Sequence, residues 1–285
     1  MAESRVGVLG ASSLVGGCVL PVLGDAGWQV VAFSRAAVES GSGVVWRRLP
    51  FIEGIEQIPH WICVAPIWVL PNYFALIEAS GGRRVVVLSS TSRFTKVGSG
   101  DTAEVALAAK LIDSEARVQA WAASRGIEWV ILRPTLIYGL GRDKNISEIA
   151  RFIRRFGFFP VLGGAQGLRQ PIHAEDVAAA CVSALQAHDA ANNAYNISGG
   201  ETLAYHDMVA RVFSALGRRP RLLTVPLWAF RLAVSVLRCL PLYRQWSAAM
   251  AERMNRDLVF DHAEAARDLG FKPRGFALAA EDLPL

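Results

Sequence analysis

The chain has 285 residues, of which 52% are hydrophobic, and a formal net charge of +5 from 30 Lys and Arg against 25 Asp and Glu. This length and composition exclude a disordered or fibrous protein and are sufficient for one large core with a smaller appended lobe. The basic residues are scattered rather than gathered in one run, so we expect no nucleic-acid partner. Anionic small molecules or an acidic membrane surface fit the charge better.

The cysteines are too far apart to form a recognisable site. Cys18, Cys63, Cys181 and Cys239 each lie in an apolar stretch. This spacing matches neither a zinc site nor a disulfide framework, so we expect buried thiols in a reducing compartment and no bound metal. The first predicted strand begins within five residues of Met1, which leaves no room for a signal peptide and predicts a cytoplasmic location.

The first predicted element is a strand, glycine turn and helix start over residues 6–16, with the helix continuing to about Leu23. Gly10 would permit the tight turn and Gly16 the close packing of helix on strand, and the helix N-terminus would bind a pyrophosphate. The middle position of this G-x-x-G-x-x-G spacing is Ser13, whose hydroxyl we expect to donate to a phosphate. The alternative is a glycine turn without a ligand. The predicted cofactor loop consists of Gly10, Ser12, Ser13, Leu14, Val15 and Gly16.

The second predicted strand, residues 28–33, ends in Ser34-Arg35, at the distance where a dinucleotide site meets the adenosine ribose. An acidic residue there would bind the 2′-hydroxyl of NAD, whereas an arginine accommodates the 2′-phosphate of NADP. We therefore expect NADP rather than NAD, with Ser34 and Arg35 as contacts. The alternative is that Arg35 is an ordinary solvated charge.

Further strands and helices alternate along the chain. Predicted strands are residues 44–46, 60–65, 84–88 and 127–132, and predicted helices are residues 73–79 and 102–124. Such alternation predicts an α/β fold with a doubly wound parallel sheet and helices on both faces. From about residue 160 the pattern changes to glycine-rich turns and short elements. We therefore expect a dinucleotide-binding domain over 1–160 and a small α/β substrate lobe over 161–285, with some segments of the lobe returning to the first domain.

Six motifs stand in an order that is typical of one family. They are Gly10-Ala-Ser-Ser-Leu-Val-Gly16, Val85-Val-Val-Leu-Ser-Ser-Thr-Ser-Arg-Phe94, Lys110 with Glu115, Leu132-Arg-Pro-Thr-Leu-Ile-Tyr-Gly139, Arg169-Gln-Pro-Ile-His-Ala-Glu-Asp176 and Leu269-Gly-Phe-Lys-Pro273. On these motifs the chain resembles an extended or atypical short-chain dehydrogenase/reductase of the NAD-dependent epimerase/dehydratase family, over nearly its whole length. The resemblance implies an NAD(P)-binding Rossmann domain and a lobe that binds a small-molecule substrate.

The resemblance also implies a catalytic set of a serine or threonine, a tyrosine and a lysine four residues after the tyrosine. The tyrosine transfers the substrate proton, and the lysine lowers its pKa and holds the nicotinamide ribose. The serine falls at Ser90 and the lysine at Lys110. Ala106 stands at the tyrosine position, and it has no proton to transfer.

Other contacts follow from the same resemblance. The implied cofactor contacts outside the loop are Ala65, Pro66, Ser89, Lys110, Arg133 and Pro134. The implied substrate contacts are Ser92, Arg169 and Arg253, with Arg256 as another candidate, because a guanidinium suits a diphosphate. Asp176 is expected to cap a helix at residues 177–180.

Two explanations of the missing tyrosine remain open, because no tyrosine lies between Tyr73 and Tyr138 to restore the motif by realignment. Another cleft residue could replace it; the candidates are Tyr138, Lys96, Arg93, Asp101 and Asp143. The chain would then be an atypical NADP-dependent oxidoreductase or a sugar-nucleotide epimerase/dehydratase-like enzyme, as a monomer or homodimer. Alternatively, it is a non-catalytic NADP-binding assembly or regulatory subunit that resembles the Rossmann accessory subunit of respiratory NADH dehydrogenase.

Residues 222–243 are unusually apolar but carry Arg231 and Arg238 on a narrow polar stripe. Charges and prolines leave no run near the ~20 apolar residues that a membrane span requires. The segment could lie in a membrane interface, giving weak peripheral binding, or cover an apolar substrate channel. Otherwise it is a helix packed into the second lobe.

Overall fold

The computed structural model describes residues 5–35, 43–50, 56–226, 228 and 253–284. Most of the apolar segment at 222–243 lies outside these ranges, and so does Cys239. Of its aromatic residues, Trp228 is described and is 71% exposed. The expectations for the rest of that segment stay predictions.

The first half of the chain alternates between strands and helices. The strands are β1 (Arg5–Leu9), β2 (Gln29–Ser34), β3 (Val44–Arg48), β4 (His60–Cys63), β5 (Arg84–Leu88) and β6 (Glu128–Pro134). The helices are α1 (Leu14–Asp25), α2 (Phe74–Ala79), α3 (Ser92–Thr95) and α4 (Thr102–Arg125). A 3-10 helix at Ile67–Tyr73 precedes α2, where the sequence predicts only the α-helix.

The second half consists of shorter elements. They are β7 (Ile137–Tyr138), α5 (Ile146–Phe156), β8 (Phe159–Leu162), β9 (Leu168–Arg169), β10 (Ile172–His173), α6 (Ala174–Gln186), β11 (Asn193–Ile197), β12 (Leu203–Ala204), α7 (Tyr205–Ala215), β13 (Leu222–Val225) and α8 (Ala263–Leu269). The short strands pair as β7 with β10, β9 with β12 and β8 with β13. In contrast, β11 pairs with β6, so this part of the chain returns to the large sheet.

Within the described ranges, seven strands form one parallel sheet in the order β11-β6-β5-β4-β1-β2-β3. The chain winds outward from β1 to β3 and then crosses back to β4 on the other side of β1. Such a reversal leaves a crevice at the carboxyl ends of β1 and β4, where ligands bind in open α/β sheets. This is a Rossmann-like arrangement, and it confirms the predicted fold class.

Both faces of the sheet are buried, as a parallel sheet covered by helices requires. Val86 and Leu88 of β5 lie in one apolar cluster with residues of α1 and α6. Val85 and Val87 lie in a second cluster, on the opposite face, with Leu111 and other residues of α4. Each fully buried valine or leucine contributes about 1.5–3 kcal/mol relative to the exposed side chain. Helix α4 is thus held against the sheet beside the crevice.

The helix ends are fixed by local groups. The Asp101 carboxylate accepts a hydrogen bond from the Ala103 N–H (2.9 Å) at the start of α4, and Gly126 ends that helix with a positive φ of 64°. At α6 the cap is His173, whose Nδ1 accepts from the Glu175 N–H at 3.2 Å. The expected cap, Asp176, lies inside the helix and bonds Arg274 instead. The prediction for Asp176 was therefore wrong by one turn.

The three described cysteines, Cys18, Cys63 and Cys181, are buried and unpaired with one another. Burial raises the pKa of the Cys63 thiol to about 12, so it is protonated at neutral pH. Among the described residues, no helix is both long and apolar enough to cross a bilayer. The same ranges hold no group of His, Cys, Asp and Glu that could bind a metal ion.

Candidate functional site

A cleft of about 880 Å³ opens at the carboxyl ends of the parallel strands. Its floor is built from the residues that follow β1, β4, β5 and β6. The opposite wall comes from the second half of the chain, including Arg169, Tyr205 and residues 253–256. Cavities of this size hold cofactor-sized ligands. The position agrees with the crevice that the strand order creates.

The turn between β1 and α1 leaves no space for side chains at two positions. Gly10 has a φ of +85°, and a Cβ there would lie 2.6 Å from the backbone nitrogen of Ala65. A Cβ at Gly16 would lie 2.4 Å from the carbonyl oxygen of Gly10. The backbone thus forms a closely packed strand-to-helix turn whose helix N-terminus faces the cleft. This geometry fits a dinucleotide pyrophosphate, because free N–H groups and the helix dipole favour an anion there.

Ser13 caps helix α1. Its Oγ accepts a hydrogen bond from the Gly16 N–H at 3.1 Å, and the side chain lines the cleft. A hydroxyl that accepts one bond still has its own proton to donate. Ser13 therefore fixes the helix start and keeps a donor available to a ligand in the cleft.

Arg142 comes from the loop after β7 and reaches the same turn, although the sequence analysis did not single it out. Its Nη2 donates to the carbonyl oxygen of Ser12 at 3.3 Å, and the residue lines the cleft. The guanidinium adds a positive charge next to the N-terminus of α1, where an anion is already favoured. The sequence did not indicate this contact, because Arg142 lies about 130 residues after the loop that it contacts.

At the end of β2, Ser34 is buried and Arg35 is exposed. The neighbouring strand places a second cation there, since Arg48 of β3 stands opposite Ser34 in the parallel register and is also exposed. No acidic residue occupies position 34 or 35. The edge of the sheet beside the crevice is therefore basic. Ser34 and Arg35 do not themselves line the cleft.

Ser89, directly after β5, is tied to a buried ion cluster behind the cleft floor. Its Oγ donates to the Glu115 carboxylate at 2.5 Å, and the same carboxylate binds Arg93 Nη1 at 2.5 Å and Arg133 Nη2 at 2.7 Å. The Glu115 side chain is only 2% exposed. Burial lowers the pKa of the Arg93 guanidinium, and the Glu115 charge opposes that shift. Arg133 therefore serves this cluster and does not line the cleft.

The serine-rich segment after β5 supplies hydroxyls to the cleft. Ser90 and Ser92 both line it, and the Ser90 Oγ accepts from the Ser92 N–H at 3.1 Å. The Ser90 proton therefore remains available for donation. Thr91 also lines the cleft, but its hydroxyl donates to the Pro134 carbonyl oxygen at 3.1 Å. Of these hydroxyls, Ser90 is the one whose oxygen accepts a hydrogen bond from a backbone N–H.

Helix α4 presents two leucines and, at its start, one carboxylate to the cleft. The residues of α4 that line the cleft are Glu104, Leu107 and Leu111, which follow one side of the helix. Ala106 and Lys110 are exposed and lie outside the lining. The Lys110 ammonium instead stands 4.5 Å from the centre of the Trp68 ring.

The structure thus places Ala106 and Lys110 outside the lining of the cleft, and their roles in catalysis stay predictions. The residues four positions apart that face the cleft are Leu107 and Leu111, and neither can transfer a proton. The buried Glu115 lies four residues after Leu111 and on the same side of α4, so in the structure it marks the side of the helix that is turned inward. The family resemblance placed the lysine at Lys110, one residue before the position on α4 that lines the cleft.

A charged bridge crosses the mouth of the cleft. Glu104 is buried and binds Lys96 Nζ (3.4 Å), Ser99 Oγ (2.7 Å) and the guanidinium of Arg253. On the same side, Arg256 Nη1 donates to the Thr95 carbonyl oxygen at 3.3 Å. These contacts join α3 and the start of α4 to residues 253–256. One carboxylate faces several cations here, so the cleft is basic overall at this end.

Arg169 lines the cleft, but its guanidinium is used within the protein. Nη1 donates to the carbonyl oxygens of Leu168 and Arg256, each at 2.7 Å, and Nη2 donates to that of Arg253. Burial lowers the pKa of the guanidinium. Arg169 therefore anchors the segment at 253–256, and a diphosphate would have to compete with these carbonyls for it.

Two tyrosines are candidates to replace the missing proton donor. Tyr138 is fully buried and outside the lining; its hydroxyl donates to the Ala277 carbonyl oxygen at 3.3 Å, and burial raises its pKa to about 12. Tyr205 does line the cleft. Burial raises the pKa of its phenol, and Arg169 and Arg253 oppose that shift. Of the two, only Tyr205 could donate a proton into the cleft.

The remaining predicted residues divide by position. Those that line the cleft are Ser13, Leu14, Val15, Ala65, Pro66, Ser89, Ser90, Ser92, Pro134, Arg169 and Arg253. Those outside the lining are Gly10, Ser12, Gly16, Ser34, Arg35, Lys110 and Arg133. Of the proposed replacements for tyrosine, Lys96 and Asp143 line the cleft, but Asp143 bonds the Ser147 hydroxyl (2.8 Å) and backbone N–H groups at the start of α5.

Comparison with curated proteins gives distant relatives. The chain is 26% identical over 247 residues to an uncharacterized protein of Sinorhizobium fredii. This match covers 78% of this chain and 60% of that protein. It is 24% identical to UDP-glucose 4-epimerase of Vibrio cholerae over 56% of this chain and 47% of that protein. It is 28% identical to a mitochondrial NADH dehydrogenase subunit of Arabidopsis thaliana over 35% of this chain and 25% of that protein. The chain thus spans 60% or less of the length of these relatives.

Solved structures share the fold over nearly the whole chain. MoeE5 in complex with UDP-glucuronic acid and NAD superposes with a TM-score of 0.70 at 20% identity, covering 98% of this chain and 95% of that one. A UDP-glucuronic acid 4-epimerase from Bacillus cereus in complex with NAD gives a TM-score of 0.71 at 13% identity, with the same coverage. Residues 72–198, somewhat less than half of the chain, match the model of the NAD dependent epimerase/dehydratase family. The chain shares its Rossmann-like fold with these solved proteins.

Proposed function

We propose that this chain is an NADP-binding protein of the epimerase/dehydratase type whose helix α4 lacks the tyrosine and lysine of the standard proton relay. The turn at Gly10 and Gly16 carries the first part of the proposal, because it gives backbone N–H groups close access to a pyrophosphate. Ser13 and Arg142 add donors at the same point. The two relatives of known structure described above hold NAD, so the dinucleotide class also fits the fold.

The choice of NADP rests on the basic end of β2. Changing Arg35 to Ala should weaken NADP binding by about 1–3 kcal/mol, the value of a charge-assisted hydrogen bond, and leave NAD binding nearly unchanged. Titration calorimetry with both dinucleotides measures the difference. Arg83→Ala is the matched control, because Arg83 is also exposed but precedes β5, at the amino ends of the strands and away from the crevice. Preference of the unmodified protein for NAD, or equal loss for both dinucleotides, would overturn the NADP assignment.

The second part of the proposal rests on Leu107 and Leu111. A tyrosine and a lysine on this face would reach the cleft, as proton transfer requires, whereas the leucines leave an apolar wall. Bound NADP would then stabilise the folded chain by mass action, by about 2.7 kcal/mol at a hundredfold excess over its dissociation constant. We therefore expect a large thermal shift with NADP and no carbonyl reduction by a relay on α4.

Installing the relay tests this directly. The double variant Leu107→Tyr/Leu111→Lys puts a phenol and an ammonium four residues apart on the side of α4 that lines the cleft. We expect it to gain slow NADPH-dependent reduction of generic aldehydes, measured by loss of NADPH absorbance. The lysine replaces a buried leucine, so the melting temperature of the variant must be checked first.

Ala106→Tyr provides the matched control. Together with the natural Lys110 it creates the same spacing on the exposed side of α4, so we expect no gain of activity. Activity in this control but not in the double variant would show that the face turned to the cleft is the one that carries position 106, and the proposal would fail.

A second candidate function is an atypical oxidoreductase or a sugar-nucleotide epimerase/dehydratase-like enzyme. It is favoured by Ser90, Ser92 and Tyr205, which place donors in the same cleft. Lys96, Arg253 and Arg256 make the mouth of the cleft suitable for an anionic substrate. Incubation of the unmodified protein with NADP and UDP-sugars, followed by chromatography of the sugar nucleotides, distinguishes the two. Turnover that is lost in Tyr205→Phe supports this second function over the first.

A further inference from the structure

Two arginine-bearing segments meet on the surface of the second half of the chain, away from the motifs of the cleft. Strand β13 pairs in parallel with β8, with Leu222 opposite Phe159, and the Phe159 N–H donates to the Arg221 carbonyl oxygen at 2.9 Å. Arg218 Nη1 also donates to the Ile153 carbonyl oxygen at the end of α5, at 2.8 Å. We call the surface formed there the basic aromatic face. It consists of Arg154, Arg155, Phe156, Phe158, Arg218, Arg219, Arg221 and Leu223.

The apolar part of this face is exposed. Phe156 is 50% exposed and Leu223 is 54% exposed. The ring of Phe152 packs against the exposed Phe156 and the half-buried Phe158, with centroid distances of 4.6 Å and 5.8 Å, so both rings are held in place from below. Arg155 covers one side of Phe156, with its guanidinium carbon 5.1 Å from the ring centre. The apolar part of the face is therefore fixed in position and bordered by arginines.

The charge of the basic aromatic face is not balanced nearby in the sequence. No Asp or Glu lies between Ile149 and Leu162, or between Met208 and Ala251. The second of these stretches carries arginines at positions 211, 218, 219, 221, 231, 238 and 244. Within the described part of the chain, none of the five arginines of the face makes a salt bridge. The face therefore attracts anions.

We propose that the basic aromatic face docks on an anionic lipid bilayer. Phenylalanine and leucine side chains enter the headgroup region of a bilayer, and flanking arginines interact with anionic lipid while their stems lie along the apolar boundary. A nucleic acid would use the arginines and rings but would gain little from the exposed Leu223, so the bilayer is favoured. Docking through this face requires neither the cleft nor a cofactor. Docking would place the chain at a membrane surface.

Vesicle flotation tests the proposal with the full chain. We expect co-flotation with vesicles of phosphatidylcholine and phosphatidylglycerol at low salt, much less at high salt, and none with phosphatidylcholine alone. The variant Arg155→Gln/Arg219→Gln/Phe156→Ser should bind the anionic vesicles about tenfold more weakly or worse, because it removes two lipid-attracted charges and one inserted ring. Circular dichroism melting confirms that the variant is folded.

The matched control removes two arginines and one apolar side chain elsewhere. Arg83→Gln/Arg117→Gln/Ile112→Ser changes two exposed arginines and an exposed apolar side chain outside the face, and it should bind like the unmodified protein. Equal binding of the face variant and the unmodified protein would assign docking to other residues and overturn the proposal. Absence of binding to anionic vesicles, or binding to heparin or RNA alone, would overturn it as well.

Discussion

Replacing Glu115 by Gln is expected to lower the free energy of unfolding by about 3 kcal/mol or more, because it leaves two arginines without their shared carboxylate in a buried site. The amide keeps the shape and can still accept from Ser89, so the change isolates the charge. Arg93 and Arg133 are only 21% and 13% exposed, and water cannot replace the lost partner well. Urea unfolding followed by circular dichroism measures the difference.

Glu78→Gln is the control for this change. Glu78 also bonds an arginine and a ring N–H, at 3.2 Å to Arg125 and 2.7 Å to Trp121, but its side chain is 31% exposed and that of Arg125 is 58% exposed. Exposed pairs contribute only about 0–1 kcal/mol. Similar losses in the two variants would show that burial of the Glu115 cluster does not set its energy. Adding Arg93→Gln to Glu115→Gln should recover part of the loss, since it removes one unpaired charge.

The fold was predictable because its strands are buried on both faces. A parallel strand covered by helices appears as a continuous apolar run, and Val85-Val-Val-Leu88 is such a run in sequence and in structure. Gly126 and the glycine turn mark helix ends by local chemistry, so the predicted helix boundaries there were also close to the observed ones. The 3-10 helix at Ile67–Tyr73 was missed, since it contains Pro71 and lacks an amphipathic period. The return of β11 to the sheet depends on a pairing with β6 about 60 residues away in the chain.

The site was less predictable, because one residue of register on a helix decides which face meets the cleft. Successive residues on a helix point about 100° apart, so Lys110 and Leu111 lead to different surfaces. The buried carboxylate of Glu115 fixes the orientation, but burial of a charged residue is not visible in the sequence. Arg169 illustrates a second limit. Its residue type suits a diphosphate, whereas the structure gives its donors to three carbonyl groups.

Changing Gly16 to Ala is expected to weaken dinucleotide binding strongly and to destabilise the fold by about 1–3 kcal/mol, the usual cost of overpacking a close contact. The added Cβ would lie 2.4 Å from the Gly10 carbonyl oxygen and 2.6 Å from that of Ala11, both backbone atoms that cannot rotate away. Helix α1 must therefore move off β1, and its N-terminus moves with it. Melting temperature and titration calorimetry with NADP together report both effects.

Gly24→Ala is the control within the same helix. A Cβ at Gly24 meets no atom within 4 Å, and the residue is exposed, so alanine should stabilise α1 by about 0.5–1 kcal/mol through its better helix propensity. Its NADP affinity should equal that of the unmodified protein. If Gly16→Ala binds NADP as well as Gly24→Ala does, the close approach of α1 to β1 is not what positions the dinucleotide. The anion would then have to be held mainly by side chains such as Ser13 and Arg142, and the same titration on Arg142→Ala would show a loss of affinity larger than that of Gly16→Ala.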